Sequence, residues 1–372
     1  MIRLASIIAV FVFKFYIIMT MNKRILKLLE NYENEAVLIS DNKDLYYLTG
    51  AQFGDFYLLL HKKYPAIIVH EMIAPQVNQY FKKLKNKIKI FTTKEDCSSK
   101  LVEVLKKYKI NGIVIDVSKI YAENFDTLKK KLTKEKIKVI KEKDITQNLR
   151  LIKDEKEIEN LHKACTIVSE VFETVKKQVV AGMTELDIYF KIEEEFAKRH
   201  VVQSFKTIVA SGPNSANPHH NSGNRKIQKN DIVMIDMGCV YNGYCSDLTR
   251  TFFIGNKTKF QQKIWDIVKL AHDRAIAEVK DGMKAKDIDF FAANTIKKEG
   301  YAKQFIHTTG HSLGLDIHEQ LRISKTSTAV LREGTVITVE PGIYIENKFG
   351  VRIEDTVLVT KNGYRVLTCA KY

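Results

Sequence analysis

Two aspartates interrupt apolar runs in VMIDMGCVYNGYCSDLTRTFF (233–253). The centre, Tyr241-Asn242-Gly243-Tyr244, is a two-residue hairpin signal, because Asn-Gly accepts the positive φ that a type I′ turn needs at both central positions. Folding there sets Tyr241 opposite Tyr244, Gly238 opposite Asp247 and Asp236 opposite Thr249. Asp236 and Asp247 then become diagonal neighbours on one face of the hairpin. Two carboxylates so placed in an apolar setting repel, so they must share a proton, pair with cations or hold a metal ion. For an isolated hairpin, an edge pair facing water reads equally well.

Further along stands HTTGHSLGLDIHE (307–319), with histidines at 307, 311 and 318. Gly310 and Gly314 argue against a regular metal-binding helix and for a strand and turn where the backbone closely approaches something. In VITVEPGIYI (336–345) Glu340 closes a β-branched run, and in FGVRIEDTVLV (349–359) Glu354 sits inside one. Four carboxylates and at least one histidine therefore occupy apolar strand contexts in one half of the chain. Burial of that many unpaired carboxylates would cost many kcal/mol, so something cationic must compensate. Arg352 is one partner and cannot serve all four. Oxygen ligands with one imidazole and no thiolate suit manganese, cobalt, iron or zinc. Five ligands exceed the usual set for one catalytic ion and fit two ions about 3.5–4 Å apart, the arrangement of metal-assisted hydrolysis.

Asp236, Asp247, His311, Glu340 and Glu354, in that order, with HxxGHxxGxxxHE, EPGIY and VRIED around the last three, resemble the M24 "pita-bread" metallopeptidases, in the branch of Xaa-Pro aminopeptidases and Xaa-Pro dipeptidases (prolidases). The motifs cover about residues 150–372, and the first half resembles the creatinase-type domain of the same family in size and α/β pattern. The resemblance implies that Asp236 chelates one metal, that His311 and Glu340 chelate the other, and that Asp247 and Glu354 bridge both. It implies two divalent ions, manganese first, with cobalt, zinc or iron as alternatives. It places His219, His307 and His318 around the substrate and gives Arg352 the task of orienting Glu354 and its neighbours. Glu340, His318 and His219 would be the catalytic groups, the glutamate shuttling a proton and a histidine stabilising the oxyanion. His220 stands where a glycine often follows the Pro-His pair, and Thr308 is an uncommon residue within the histidine motif.

The elements that must position these groups are legible in outline. At 372 residues the chain is comfortable as two domains. Residues 1–20 are read as an apolar extension from an early start codon, with a membrane anchor less favoured, 21–150 as a creatinase-like α/β domain, and 151–372 as a pseudo-symmetric pita-bread domain, for a fold class of α/β (α+β). Six short apolar runs (35–40, 56–61, 65–70, 88–93, 111–117 and 137–142) read as strands, with helices at 74–86 and 99–109. A long helical stretch covers 153–180. Gly182-Met183-Thr184-Glu185-Leu186-Asp187-Ile188 returns as Gly282-Met283-Lys284-Ala285-Lys286-Asp287-Ile288, which points to two related halves with a site at their junction.

The formal charge of +16 is concentrated in residues 21–150, where 26 Lys and Arg face 16 Asp and Glu. These lysine-rich faces with few interleaved aromatics read as solvated helix surfaces, and no nucleic-acid partner is expected. Five scattered cysteines without a CxxC pair fit a reducing compartment, and a cytoplasmic location is expected. The leading expectation is an Xaa-Pro aminopeptidase acting on proline-containing peptides, as a homodimer. The alternative is an Xaa-Pro dipeptidase, which would need a cation to take the substrate carboxylate. No arginine lies between Arg24 and Arg150 to make that clamp, so Arg352 or another C-terminal arginine would have to supply it. Methionine aminopeptidase and creatinase-like chemistry fit less well, and a noncatalytic binding protein on the same fold would be expected to have lost ligands.

Overall fold

The computed structural model describes residues 23–83 and 88–372, so the reading of residues 1–20 lies outside the described residues. The chain divides into two compact units that meet in sequence between Arg150 and Leu151. The first is built on a six-stranded sheet of β1 (Ala36–Ile39), β2 (Phe56–Leu60), β3 (Ala66–His70), β4 (Lys89–Thr93), β5 (Gly112–Asp116) and β6 (Lys138–Glu142), in the order β4-β3-β2-β1-β5-β6. All six strands coincide with the six apolar runs. Buried residues of β1, β3 and β5 pack against Leu101, Val104 and Leu105 of one helix and Leu128 and Leu132 of another. That second helix, Ala122–Lys134, is hidden in the sequence by its lysines, because only Phe125, Leu128 and Leu132 are buried. A short helix at Asn42–Thr49 is marked only by its ends: Asp41 accepts from the Lys43 and Asp44 amides, and Gly50 closes it at φ 75°.

In the second unit, α1 (Glu155–Lys176) and α2 (Glu185–Lys198) precede β7 (Val202–Gln203), β8 (Ile208–Ser211), β9 (Ile232–Met237), β10 (Cys239–Tyr241), β11 (Tyr244–Cys245) and β12 (Leu248–Phe253). Then α3 (Lys259–Ala277) and α4 (Ala285–Lys298) precede β13 (Gly310–His311), β14 (Arg322–Ile323), β15 (Val336–Val339), β16 (Gly342–Ile345), β17 (Phe349–Arg352), β18 (Asp355–Thr360) and β19 (Gly363–Val366). The seven-residue repeat has matching backbone bonds. Gly182 N–H donates to Ile227 O at 2.8 Å and Gly282 N–H to Leu331 O at 3.0 Å, while Ile227 and Leu331 return bonds to Met183 and Met283. Each copy leads into a helix that packs on the helix before it, so the unit is two related halves. One core joins α1 and α2 to β9 and β12, and another joins α3 and α4 to β15 and β18.

The hairpin forms as its turn residues demand. Asn242 and Gly243 adopt φ 47° and 82°, Tyr241 pairs with Tyr244, and Asp236 pairs with Thr249. Cys239 and Cys245 are free thiols, as are the other three cysteines. Among the described residues, no helix is long and apolar enough to cross a membrane.

Candidate metal centre

Strand ends, not strand interiors, carry the acidic groups. Asp236 is the next-to-last residue of β9, Asp247 falls between β11 and β12, Glu340 follows the last residue of β15, and Glu354 lies between β17 and β18. Glu354 therefore departs from the expectation of a place inside a strand. The chain changes sheets there, and the Glu354 N–H donates to Thr249 O at 3.1 Å while Arg250 Nη1 donates to Glu354 O at 2.5 Å. His311 ends the short β13, which lies so close to β15 that a Cβ at Gly310 would collide with the Thr338 carbonyl. That approach delivers His311 to Glu340, and the Thr338 hydroxyl ties them: it accepts from the His311 N–H at 3.1 Å and lies 3.2 Å from Glu340 Oε1.

All nine residues singled out in the sequence line one cavity of about 410 Å³: Asp236, Asp247, His311, Glu340, Glu354, His219, His307, His318 and Arg352. His311 Nε2 lies 3.6 Å from Asp247 Oδ2 and 3.5 Å from Glu340 Oε1. Its Nδ1 faces the Ser312 carbonyl at 3.2 Å, which makes Nδ1 the donor and turns the Nε2 lone pair toward the carboxylates. Asp247, His311 and Glu354 each offer a ligand atom within 4.8 Å of the others.

Arg352 is buried, and it donates to Asp236 Oδ2, to the Tyr344 hydroxyl at 2.8 Å and to the Pro218 carbonyl at 3.3 Å. Its contact with Glu354 runs through Thr249, whose hydroxyl accepts from Arg352 Nε at 3.2 Å and donates to Glu354 Oε2 at 2.7 Å. One guanidinium does not neutralise the cluster. Burial and the charges of Glu354, Asp236 and Glu340 push the Asp247 carboxyl well above its ordinary value, and burial with Glu340 and Asp236 does the same to Glu354. Burial raises Glu340 to about 7 against the pull of Arg352. Burial also lowers His311 to about 3, with His318 contributing, so its ring is neutral and available as a ligand. Asp236 Oδ1 and Glu354 Oε1 are buried without a hydrogen-bond partner. Orphaned carboxylate oxygens beside a neutral imidazole are the donor set a divalent cation satisfies.

Residues that drew no notice in the sequence complete the wall. Tyr344, within the EPGIY motif, bridges Arg352 and His307, its hydroxyl lying 2.9 Å from His307 Nε2. Arg322 pairs across the strands with His311 and lines the cavity with an exposed side chain. Its position four residues after His318 was the available signal, and only the β13–β14 pairing shows what it faces. His318 packs edge-on against His311, ring centroids 4.3 Å apart, and the adjoining Glu319 is buried against Lys153 Nζ at 2.9 Å.

Residues 159–361 match Metallopeptidase family M24, and residues 22–152 match the Creatinase/Prolidase N-terminal domain. The Xaa-Pro dipeptidase of Pyrococcus furiosus is 36% identical over 93% of this chain and 97% of its own. Among solved structures, the Xaa-Pro dipeptidase from Bacillus anthracis superposes with a TM-score of 0.88 at 29% identity, covering 94% of this chain and 98% of that one. The X-Pro aminopeptidase from Thermotoga maritima does so with a TM-score of 0.84 at 30% identity, covering 92% and 97%. With both halves of the chain matched and the acidic cluster at the strand ends, this protein is a hydrolase that belongs to metallopeptidase family M24.

Proposed function

We infer that the protein is an Xaa-Pro dipeptidase, which reverses the lean toward an aminopeptidase drawn from the sequence. The sequence offers no arginine between Arg24 and Arg150 for the carboxylate clamp and leaves the task to a C-terminal arginine that it does not single out. The observation that carries the present reading is Arg322, an exposed residue that lines the cavity and pairs across the strands with His311. It offers the planar fork that takes a C-terminal carboxylate, and the Pyrococcus furiosus relative's name, Xaa-Pro dipeptidase, supports the same choice. Asp236, Asp247, His311, Glu340 and Glu354 would hold two divalent ions, manganese first, with Asp247 and Glu354 shared between them. When bound, the ions supply Lewis acidity and a nucleophile at neutral pH.

The chain's own groups do the rest. Arg322 orients the dipeptide by its carboxylate, and His219 and His318 donate toward the carbonyl oxygen as it gains charge. Glu340 carries the proton to the departing prolyl nitrogen. Tyr344 and Arg352 hold His307 and Asp236 in place. Phe205, Ile208 and Ile317 give the cavity its apolar wall against the pyrrolidine and the N-terminal side chain.

Aminopeptidase action on longer chains is the second reading, favoured by the likeness to the Thermotoga maritima enzyme. Hydrolysis of Ala-Pro and Ala-Pro-Ala by the manganese-loaded protein separates the two. The dipeptidase reading expects kcat/KM at least about tenfold higher for Ala-Pro, about 1.4 kcal/mol of transition-state preference. A preference for Ala-Pro-Ala would restore the aminopeptidase.

A further inference from the structure

The segment that brings His219 to the cavity hangs on one buried carboxylate. Glu185 opens α2, is wholly buried, and takes contacts from five groups between residues 211 and 223. Its Oε1 accepts from the Ser211 N–H and hydroxyl at 2.8 Å each and from Asn214 Nδ2 at 3.0 Å. Its Oε2 accepts from the Gly223 N–H at 3.1 Å and lies 2.7 Å from His220 Nε2. Burial alone would raise this carboxyl, but the bonds from His220, Asn214 and Ser211 outweigh it and hold the group below its ordinary value.

His219 lies between two anchored neighbours. On one side, Arg352 Nη1 donates to the Pro218 carbonyl at 3.3 Å, and on the other His220 reaches Glu185. His220, the residue directly after His219, thus supplies the second anchor. The backbone pattern at this helix start forms without a carboxylate in the other half. The counterpart of Glu185 there is Ala285, whose N–H donates to Ala329 O at 2.9 Å just as the Glu185 N–H donates to Arg225 O at 3.2 Å.

We propose that Glu185, acting through His220 and the segment 211–223, is a positioning residue that sets where the His219 imidazole meets the substrate. The proposal rests on His219 facing the substrate, as under the function above. The test uses the full-length protein. His219→Ala, His220→Gly, His220→Gln, Glu185→Gln and the double variant His219→Ala/His220→Gly are assayed on Ala-Pro with manganese loaded. Amide exchange across 211–223 is followed in the metal-free chain.

His220→Gly lowers kcat/KM about three- to tenfold when His219 is present and by less than about twofold when it is alanine. His220→Gln, which still offers a donor to Glu185, recovers most of the activity. His220→Gly also speeds exchange in the segment about tenfold while β9 is unchanged, and bound metal stays constant. Glu185→Gln moves activity and exchange in the same direction and decides the matter if His220→Gly does not fold. Equal losses with and without His219, unchanged exchange, or loss of metal in His220→Gly overturns the positioning role alone. A His219→Ala variant as active as the parent overturns the substrate-facing reading and the proposal with it.

Discussion

Replacing Arg322 by methionine separates capture of a carboxylate from every other task of the site. Its side chain is exposed and lines the cavity, so the head is hydrated in the free enzyme and the fold loses little when it goes. The loss falls on the complex. A bidentate arginine–carboxylate pair makes two charge-assisted hydrogen bonds, each contributing about 1.5–3 kcal/mol, and partial exposure holds the pair to about 2–4 kcal/mol in all. Arg322→Met then lowers kcat/KM for Ala-Pro by about 30- to 1,000-fold. Ala-prolinamide has the same scissile bond and no carboxylate, so its kcat/KM changes by less than about threefold. Arg322→Lys keeps the charge without the fork and falls between. The assay is chromatographic release of proline or prolinamide from manganese-loaded protein, with bound metal measured alongside. If both substrates lose the same factor, Arg322 acts on the site and not on the carboxylate. If neither changes, the carboxylate is held elsewhere and the dipeptidase reading loses its support.

Other perturbations address the acidic cluster. Asp247→Ala and Glu354→Ala each abolish hydrolysis and reduce bound metal, as equilibrium dialysis would measure, because each removes an oxygen assigned to both ions; near-native activity at saturating manganese would refute the sharing. Glu354→Gln removes the cost of placing this carboxyl, ionised or protonated, among buried carboxylates of the metal-free protein at pH 8, while keeping an acceptor for Thr249. Scanning calorimetry should show it melting about 2–4 °C higher per kcal/mol relieved, and a lower melting point would contradict that cost. Glu340, raised to about 7, together with Asp247 and Glu354, keeps protons in the metal-free fold that the unfolded chain has released. The metal-free protein therefore loses stability as pH rises from the ordinary carboxylate range through about 7, where Glu340 itself gives up its proton, and manganese binding releases protons and weakens as pH falls below about 7. Calorimetry in buffers of different ionisation heat would refute this by finding proton uptake.

The hairpin was legible because its turn chemistry and period-2 pairing are local: Asn242-Gly243 sets the turn, and the opposition of Asp236 and Thr249 follows by counting. The five acidic and imidazole positions were legible because a charged or polar side chain in an apolar run is too costly to bury without a partner that satisfies it. What failed were features set by pairings remote in sequence. Arg322 means nothing until β14 lies beside β13, and Glu354 could not be placed at a change of sheets from an apolar run alone. Tyr344 joins His307 and Arg352 only after β16 pairs with β17. The Ala122–Lys134 helix went unassigned because a narrow apolar stripe lies among lysines.

The central claim is that this cluster hydrolyses an Xaa-Pro bond only with metal in it. The most direct measurement is Ala-Pro hydrolysis by metal-stripped protein titrated with Mn²⁺. The stripped protein should be inert, and activity should rise to a plateau at two equivalents per chain. Full hydrolysis by the stripped protein, indifferent to both manganese and chelator, would contradict the claim.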